Sequence, residues 1–235
     1  MKKEKILRNH NEIINYSEDD WTLLKNKRKD ALKLLEIFIK EGFNPYIHGS
    51  TARGDVHKSS DIDIIFFQQI PSFQIELILN KHGFKNYFRE IIMATPHDSI
   101  KLYIYLSELE TITLPLSRLD KRVMEFYDFG GKLNYDQLNS ELRVVGIDKR
   151  LVLIKPNPNG HTEISVIGNE ANVAKEIGIS IDTVNEREKV LVRREKYGKT
   201  GVFLKRQLQI NETTEQVLKQ LADKKSIIRK KLFEK

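Results

Sequence analysis

The chain of 235 residues is long enough to bury a core, and its 40% hydrophobic and 31% charged residues are typical of an ordinary globular protein. It contains no cysteine, which excludes disulfides and thiolate metal sites, and its apolar runs are too short to span a membrane. The first residues are basic, but no apolar segment follows them. We therefore expect no signal peptide, no membrane partner and a cytoplasmic location.

The formal net charge of +7 is unevenly distributed along the chain. Residues 185–235 contain 15 Lys/Arg and 7 Asp/Glu, so the preceding part is close to neutral. A basic segment beside a neutral one indicates a polyanionic partner, for which nucleic acid is the first candidate. A solvated, lysine-rich helix is the alternative interpretation.

In chain order, residues 17–41 predict a helix, because Ser17 and Asp20 can form a capping box and Gly42 ends the apolar periodicity. The other elements predicted in this half are strands at 43–48 and 61–67, a helix at 72–82, and a hairpin of two strands at 86–94 and 99–106. Residues 116–141 are mixed in character, and we interpret them as a connection between domains.

The second half begins with a hairpin signal, and its other elements indicate a winged helix. The predicted elements are strands at 150–154 and 162–167, two helices within 169–189, a basic hairpin at 190–194 and 202–206, and a basic helix at 212–233. Ala174, Gly178 and Val184 fit the contact, turn and packing positions of a helix-turn-helix. The basic hairpin after it would be the wing.

The sharpest signal in the chain is Gly49-Ser50, followed after ten residues by Asp61-Ile62-Asp63. A glycine after a strand lets the backbone approach a ligand, and the N–H groups at a helix start can hold phosphate oxygens. Asp61 and Asp63 are two positions apart on one strand, so their side chains share a face. Such carboxylates repel each other unless a cation lies between them, and they suit Mg²⁺ or Mn²⁺.

This spacing, within GSTARGDVHKSSDIDI, resembles the signature of the DNA polymerase beta-like nucleotidyltransferase superfamily. The resemblance implies an α/β (α+β) core with a mixed sheet that transfers a nucleoside monophosphate from an NTP and releases pyrophosphate. By position, Gly49 and Ser50 would bind the triphosphate, and Asp61 and Asp63 would bind two metal ions. With its second half, the chain is also similar to uncharacterised archaeal predicted nucleotidyltransferases that carry a winged helix.

The superfamily normally has a third carboxylate on a later strand, and its position here is open. We favour Glu90, on the strand predicted at 86–94, over Asp98 in the following turn, a later residue, or none. Arg53 follows Gly49-Ser50 and is a candidate for phosphate binding. His48 and His57 flank the motif, and packing or surface roles are the simpler interpretation of both.

The domain limits that we predict are 1–120 for the nucleotidyltransferase domain, 121–144 for the connection, 145–210 for the winged helix and 211–235 for the C-terminal basic helix. Five basic residues are candidates for contacts with nucleic-acid phosphates: Arg193, Arg194, Lys199, Lys205 and Arg206.

The sequence thus predicts a metal-dependent nucleotidyltransferase with an RNA acceptor, for example a tRNA end. Two alternatives stay open. One is a transferase that acts on a protein or a small molecule. The other is a nucleic-acid-binding regulator whose transferase site is degenerate.

Overall fold

The structure is a computed structural model that describes residues 5–85, 87–198 and 201–233. Its strands are β1 (Asn11–Asn15), β2 (Tyr46–His48), β3 (Ile62–Ile65), β4 (Phe88–Met93), β5 (Lys101–Tyr105), β6 (Glu110–Pro115), β7 (Lys132–Leu133), β8 (Gly146–Ile147), β9 (Val152–Asn157), β10 (Gly160–Ser165) and β11 (Leu204–Leu208). Its helices are α1 (Glu18–Ile39), α2 (Ser50–Arg53), α3 (Ser72–Lys81), α4 (Lys121–Gly130), α5 (Tyr135–Asn139), α6 (Glu170–Ile177), α7 (Ile181–Tyr197), α8 (Thr214–Lys224) and α9 (Ser226–Phe233).

The larger sheet has seven strands in the order β11-β4-β5-β6-β3-β2-β7. It is a mixed sheet, because β3 and β6 are parallel whereas its other neighbouring strands are antiparallel. The predicted mixed α/β architecture is therefore confirmed. The main core lies on one face of this sheet, where α1 contributes Leu35 and Phe38, α3 contributes Leu79, and α8 and α9 contribute Val217 and Ile228.

Helix α1 begins as its sequence predicts. The Ser17 side chain accepts a hydrogen bond from the backbone N–H of Asp20, whose carboxylate in turn accepts from the Ser17 backbone. This capping box satisfies two N–H groups that the first turn would otherwise leave without partners. The helix that crosses the main core is thus fixed at its start by local chemistry.

The smaller sheet has the order β1-β10-β9-β8, and all its neighbouring strands are antiparallel. The hairpin of β9 and β10 corresponds to the second hairpin predicted from the sequence. Helices α6 and α7 form the predicted helix-turn-helix, with Gly178 in the left-handed conformation between them and with Val173, Ala174 and Val184 buried. These residues pack with the small sheet in a second core.

The predicted wing is wrong. Residues 190–194 continue α7 because Ser180 caps this helix and Leu191 is buried from it, so the β-branched residues there do not form a strand. Strand β11 pairs with β4 at the edge of the large sheet instead of forming a basic hairpin. The predicted C-terminal helix is present as two helices, α8 and α9, which Lys225 separates in an extended conformation.

Two segments cross the domain limits predicted from the sequence. Strand β1 pairs with β10, and Ile6 belongs to the second core, although both precede the large sheet in the chain. In the opposite direction, β11 and α8 return to the large sheet and its core. Within the described ranges, no helix is both long and apolar enough to cross a membrane.

A buried polar network joins β10 to its surroundings. The Glu163 carboxylate bonds to Arg150 at 2.5 Å, to His10 at 2.5 Å and to His161 at 3.2 Å. Burial alone would raise the pKa of Glu163, but the hydrogen bonds from His161, Arg150 and His10 outweigh it and lower this pKa to about 2. Tyr16 extends the network, because its hydroxyl contacts His161 Nδ1 at 2.7 Å.

Glu163 should make the fold sensitive to acid. The pKa of Glu163 in the folded protein lies below the ordinary value of 4.5. The ionised carboxylate therefore stabilises the folded state fully above pH 4.5, and this contribution to the free energy of unfolding is lost as the pH falls towards 2. We expect the free energy of unfolding, measured by urea titration, to fall by up to about 3 kcal/mol more in the wild type than in Glu163→Gln over this window. The exposed substitution Glu108→Gln should leave the wild-type pH dependence unchanged, and equal curves for wild type and Glu163→Gln would contradict the assignment.

Candidate active site

The turn at Gly49 connects β2 to the short helix α2. Gly49 has φ 82° and ψ −144°, a conformation that a side chain disfavours, and nothing lies within 4 Å of the position where its Cβ would be. The backbone conformation therefore requires glycine, and the space beside it is open. The partly exposed Ser50 side chain has no hydrogen-bond partner among the residues that the structure describes.

Arg28 of α1 fixes the position of α2 through hydrogen bonds. This buried residue of α1 donates hydrogen bonds to the carbonyl oxygens of Thr51 at 3.1 Å, Ala52 at 3.0 Å and Leu142 at 2.8 Å. Burial, followed by the charge of Arg143, lowers the pKa of Arg28 to about 10, which still leaves it charged at neutral pH. One side chain thus satisfies the carbonyl groups where α2 ends.

The two halves of the Gly-Ser and Asp-x-Asp motif meet in the structure. His48, just before Gly49, pairs with Asp63 across β2 and β3. The Thr51 hydroxyl donates a hydrogen bond of 3.4 Å to the backbone carbonyl of Asp61. The ten-residue spacing therefore forms a loop whose ends come back together, which places the open turn beside the carboxylates.

Asp61 is exposed just before β3, and Asp63 is partly buried on the strand two positions later. Burial is the largest cause that raises the pKa of Asp63, to about 6. The negative charge of Asp61 raises it further, whereas Lys149 opposes the shift. The pair is therefore a concentrated, partly desolvated negative charge, an environment that favours a bound cation.

Glu90 is not placed to act as the third carboxylate of this pair. Strands β5 and β6 lie between β4 and β3, and three steps of strand spacing put Glu90 about 14 Å from Asp63. Its carboxylate instead contacts Lys205 at 3.2 Å and accepts a hydrogen bond of 3.3 Å from Tyr105. The prediction failed because the sequence did not reveal β6, which inserts between the predicted hairpin and the aspartate strand.

No other carboxylate takes that place in the described part of the chain. The residue paired with Asp63 on β6 is Thr111, and Asp98 accepts a hydrogen bond from the Thr95 backbone within its own turn. Across residues 5–85, 87–198 and 201–233, no group of three His, Cys, Asp or Glu side chains could hold a metal ion. The candidate site is therefore a pair of carboxylates.

Arg53 does not reach the open side of the site, contrary to the sequence-based prediction. Its guanidinium donates two hydrogen bonds to Asp55, at 3.0 and 2.8 Å, and one of 2.6 Å to the Gly130 carbonyl. The side chain is buried, and all three of its nitrogens have partners. Arg53 braces the loop after α2 against the end of α4.

His48 lies beside Asp63 but has a packing environment. Its ring contacts Tyr127 and Phe126 of α4, with centroid distances of 5.3 and 5.9 Å. Burial and the neighbouring charge of Arg53 lower the pKa of His48 to about 3, so the imidazole is neutral at neutral pH. The interpretation of His48 as a packing residue agrees with this environment.

The predicted nucleic-acid contacts lie on two elements. Arg193 and Arg194 are exposed on α7. Lys205 and Arg206 are on β11, where they contact Glu90 and Glu212, and Lys199 lies outside the described residues. Because the wing is not formed, these side chains do not line one basic hairpin.

Lys101, Phe126 and Arg187 form a cluster of two cations and an aromatic ring near the sheet face that holds Asp63, and the sequence did not predict it. Lys101 Nζ lies 5.7 Å and Arg187 Cζ lies 4.7 Å from the centre of the Phe126 ring, and Lys101 shares its face of β5 with Tyr103. Burial lowers the pKa of Lys101 to about 8 and that of Arg187 to about 10. Within the described ranges neither makes an ion pair, and Arg187 Nε is buried without an acceptor.

The position of Lys101 on a polar, aromatic strand face could be read from the sequence. Lysine and two tyrosines alternate at positions 101, 103 and 105, which indicates one polar, aromatic face of a strand. Phe126 and Arg187 could not be added, because only the tertiary fold brings α4 and α7 to that strand.

The large mixed sheet, its open Gly-Ser turn and the adjacent carboxylate pair define a site suited to binding a nucleotide and a metal ion. Residues 29–110, about a third of the chain, match the family model for the nucleotidyltransferase domain. This match contains Gly49, Ser50, Asp61 and Asp63. No curated protein and no solved structure matches the chain.

Proposed function

We propose that this protein transfers a nucleoside monophosphate from an NTP to a polynucleotide, and that RNA, for example a tRNA end, is the acceptor. The observation that carries the proposal is the meeting of the Gly49 turn with the carboxylate pair, through the pairing of His48 with Asp63 and the bond between Thr51 and Asp61. The nucleotidyltransferase domain at residues 29–110 supports the reaction class.

The carboxylate pair fits Mg²⁺ or Mn²⁺. Asp61 and Asp63 offer hard oxygen ligands, and a cation would relieve the burial and repulsion that raise the pKa of Asp63. Phosphate oxygens and water would complete the ligand set. A bound metal ion would neutralise developing charge on the phosphoryl oxygens and make the acceptor hydroxyl more acidic. Gly49 and Ser50 would orient the triphosphate beside the pair.

Two groups of cations support a polyanionic acceptor. Residues 185–235 carry the excess positive charge of the chain, and within them Arg193 and Arg194 of α7 are exposed. Lys101 lies on the sheet face that holds Asp63, Arg187 of α7 contacts the same Phe126 ring as Lys101, and neither makes an ion pair among the described residues. Partly desolvated cations without counter-ions are costly to the folded protein, and acceptor phosphates would compensate them.

The acceptor class can be tested by following label from each α-labelled NTP into separated RNA, DNA, protein and small-molecule fractions. With Mg²⁺ or Mn²⁺ present, we expect label in the RNA fraction. Asp61→Ala/Asp63→Ala should give none. Label in the protein or small-molecule fraction would overturn the RNA acceptor while leaving the transfer chemistry in place.

Arg187 and Lys101 provide a second prediction. We expect Arg187→Met and Lys101→Met each to weaken binding of an RNA oligonucleotide about fivefold and to reduce the salt slope of the binding constant by about 1. Arg187→Met should not lower the melting temperature, because the partly buried cation makes no ion pair among the described residues and methionine can keep the contact with the Phe126 ring. Fluorescence anisotropy across a salt series measures both binding effects. Lys25→Met, an exposed change on α1, is the control, and a salt slope for Arg187→Met equal to that of this control would contradict the role.

A second candidate function is favoured by the two-carboxylate site. With Thr111 opposite Asp63 and no third carboxylate beside the pair in the described residues, the chain would bind nucleic acid through α7 without turnover. This function predicts metal-independent nucleic-acid binding without pyrophosphate release from any NTP.

A further inference from the structure

Three aromatic rings form a ladder on the face of the large sheet opposite the main core. Phe88 of β4 stacks on Tyr105 of β5, with centroids 4.4 Å apart and planes 14° from parallel. Tyr105 stacks in turn on Tyr103, at 6.3 Å and 20°. We refer to Phe88, Tyr105 and Tyr103 as the aromatic ladder.

The strand register connects the ladder to the carboxylates. Phe88 pairs with Tyr105, Tyr105 with Thr111, and Thr111 with Asp63. Directly paired residues share a face, so these side chains form a row across four strands that ends at Asp63. Burial is the main cause that raises the pKa of Tyr103 to about 12, and the charge of Asp63 is the next, so this end of the ladder lies within electrostatic reach of the pair.

Packing in the hydrophobic cores does not account for the exposed end of the ladder. None of its three rings belongs to the three hydrophobic cores formed by the described residues. Phe88 is 46% exposed on a face that the helices of the main core leave open. Exposed aromatic surface next to a reactive site indicates a ligand with a flat, apolar face.

We propose that the aromatic ladder stacks the terminal bases of a single-stranded polynucleotide whose end lies at Asp61 and Asp63; the position of that end rests on the proposed function. Rings stack on any base, and the bases of a duplex are not accessible to them. The exposed ring of the ladder, Phe88, lies three strand spacings, about 14 Å, from Asp63. At about 3.4 Å per stacked base this distance corresponds to several bases of a strand, whereas an NTP at the carboxylate pair carries one. Lys101, two residues before Tyr103 on the same face, supplies a cation for the backbone.

The test is equilibrium binding of the full-length protein without NTP or metal. The probes are a fluorescent oligouridylate, an abasic oligonucleotide of the same length and charge, and a duplex. We expect the wild type to bind the oligouridylate at least about tenfold more tightly than the abasic strand or the duplex. Phe88→Ala should reduce that preference to less than about threefold, whereas Phe88→Tyr, which keeps the ring, should retain it. Equal binding of oligouridylate and abasic strand by the wild type would overturn the proposal, as would an unchanged preference in Phe88→Ala with its circular dichroism intact.

Two further measurements distinguish this proposal from binding of the NTP base and from the proposed function. Competition with metal-free ATP distinguishes an acceptor base from the base of the NTP. Release of the oligouridylate by ATP from the wild type but not from Phe88→Ala would assign the ladder to the nucleotide and overturn the acceptor role. Asp63→Asn should keep the base preference. Base-dependent binding without pyrophosphate release would contradict the proposed function and support base stacking on the aromatic ladder. Pyrophosphate release without base-dependent binding would support the proposed function and contradict base stacking on the ladder.

Discussion

Asp63→Asn is expected to slow nucleotidyl transfer by at least about 10³-fold, a barrier increase of about 4 kcal/mol, without lowering the stability of the protein. The activity should fall because one of the two carboxylates proposed to hold the metal ion is lost. The stability is kept because asparagine has the same shape and removes the repulsion with Asp61 at a site where burial already disfavours the charge. In EDTA, the free energy of unfolding should be unchanged or higher by about 1 kcal/mol.

Single-turnover transfer and urea denaturation measure these two effects on the same preparations. Asp19→Asn is a matched control, because it removes an exposed carboxylate from the first turn of α1. It should leave the transfer rate unaltered. If Asp63→Asn instead kept the wild-type rate, or lost both rate and stability together, Asp63 would be a structural residue.

Arg28→Met is expected to lower the free energy of unfolding by about 3 kcal/mol and to raise the KM for the NTP. The substitution removes the donors of the Thr51 and Leu142 carbonyl oxygens and leaves the Ala52 carbonyl with only the 3.3 Å bond from the Val144 backbone N–H. Thr51 and Ala52 belong to the helix that begins at Ser50, so the open turn should lose its fixed position. Arg28 would therefore be a positioning residue for the triphosphate.

Urea unfolding and the dependence of transfer on NTP concentration test this role. Arg28→Lys keeps the charge but not the forked donors, and we expect it to recover less than half of the lost stability. Lys29→Met, on the exposed neighbouring position, should match the wild type in both measurements. A stability loss with an unchanged KM would limit Arg28 to the fold.

Local signals in the sequence were sufficient for the turn and the strand that form the candidate site. Gly49 has the positive φ that favours glycine, and Asp63 lies on the predicted strand with Asp61 just before it. The start of α1 follows from the capping residues Ser17 and Asp20. Each of these features depends on residues only a few positions apart, and such features can be predicted from a single sequence.

The errors concern relations between distant segments. Glu90 was assigned to the site because strand order is not written in the hydrophobic pattern, and β6 was not predicted. Arg53 was assigned to phosphate because its partner Gly130 depends on how α4 packs against the turn, whereas its other partner, Asp55, is only two residues away. The wing was assigned from β-branched residues, and the buried Leu191 of a capped helix overrides that propensity.

The Lys101 cluster and the aromatic ladder are features that the sequence did not predict. The predicted hairpin at 86–94 and 99–106 brings Phe88 opposite Tyr105, but only the tertiary structure brings Arg187 and Phe126 to Lys101. The surface that is proposed to bind the acceptor therefore combines one local hairpin with two helices that are distant in sequence.

Pyrophosphate release tests the central claim, transfer at the carboxylate pair, most directly. The wild type and Asp61→Asn/Asp63→Asn would be incubated with total RNA, each of the four NTPs, and Mg²⁺ or Mn²⁺. We expect the wild type to release pyrophosphate with at least one NTP, in proportion to the label it transfers, and the double variant to release none. Silence of the wild type with every NTP and both metals, while it still binds nucleotide, would contradict the claim and leave a nucleic-acid-binding protein with an inactive nucleotidyltransferase domain.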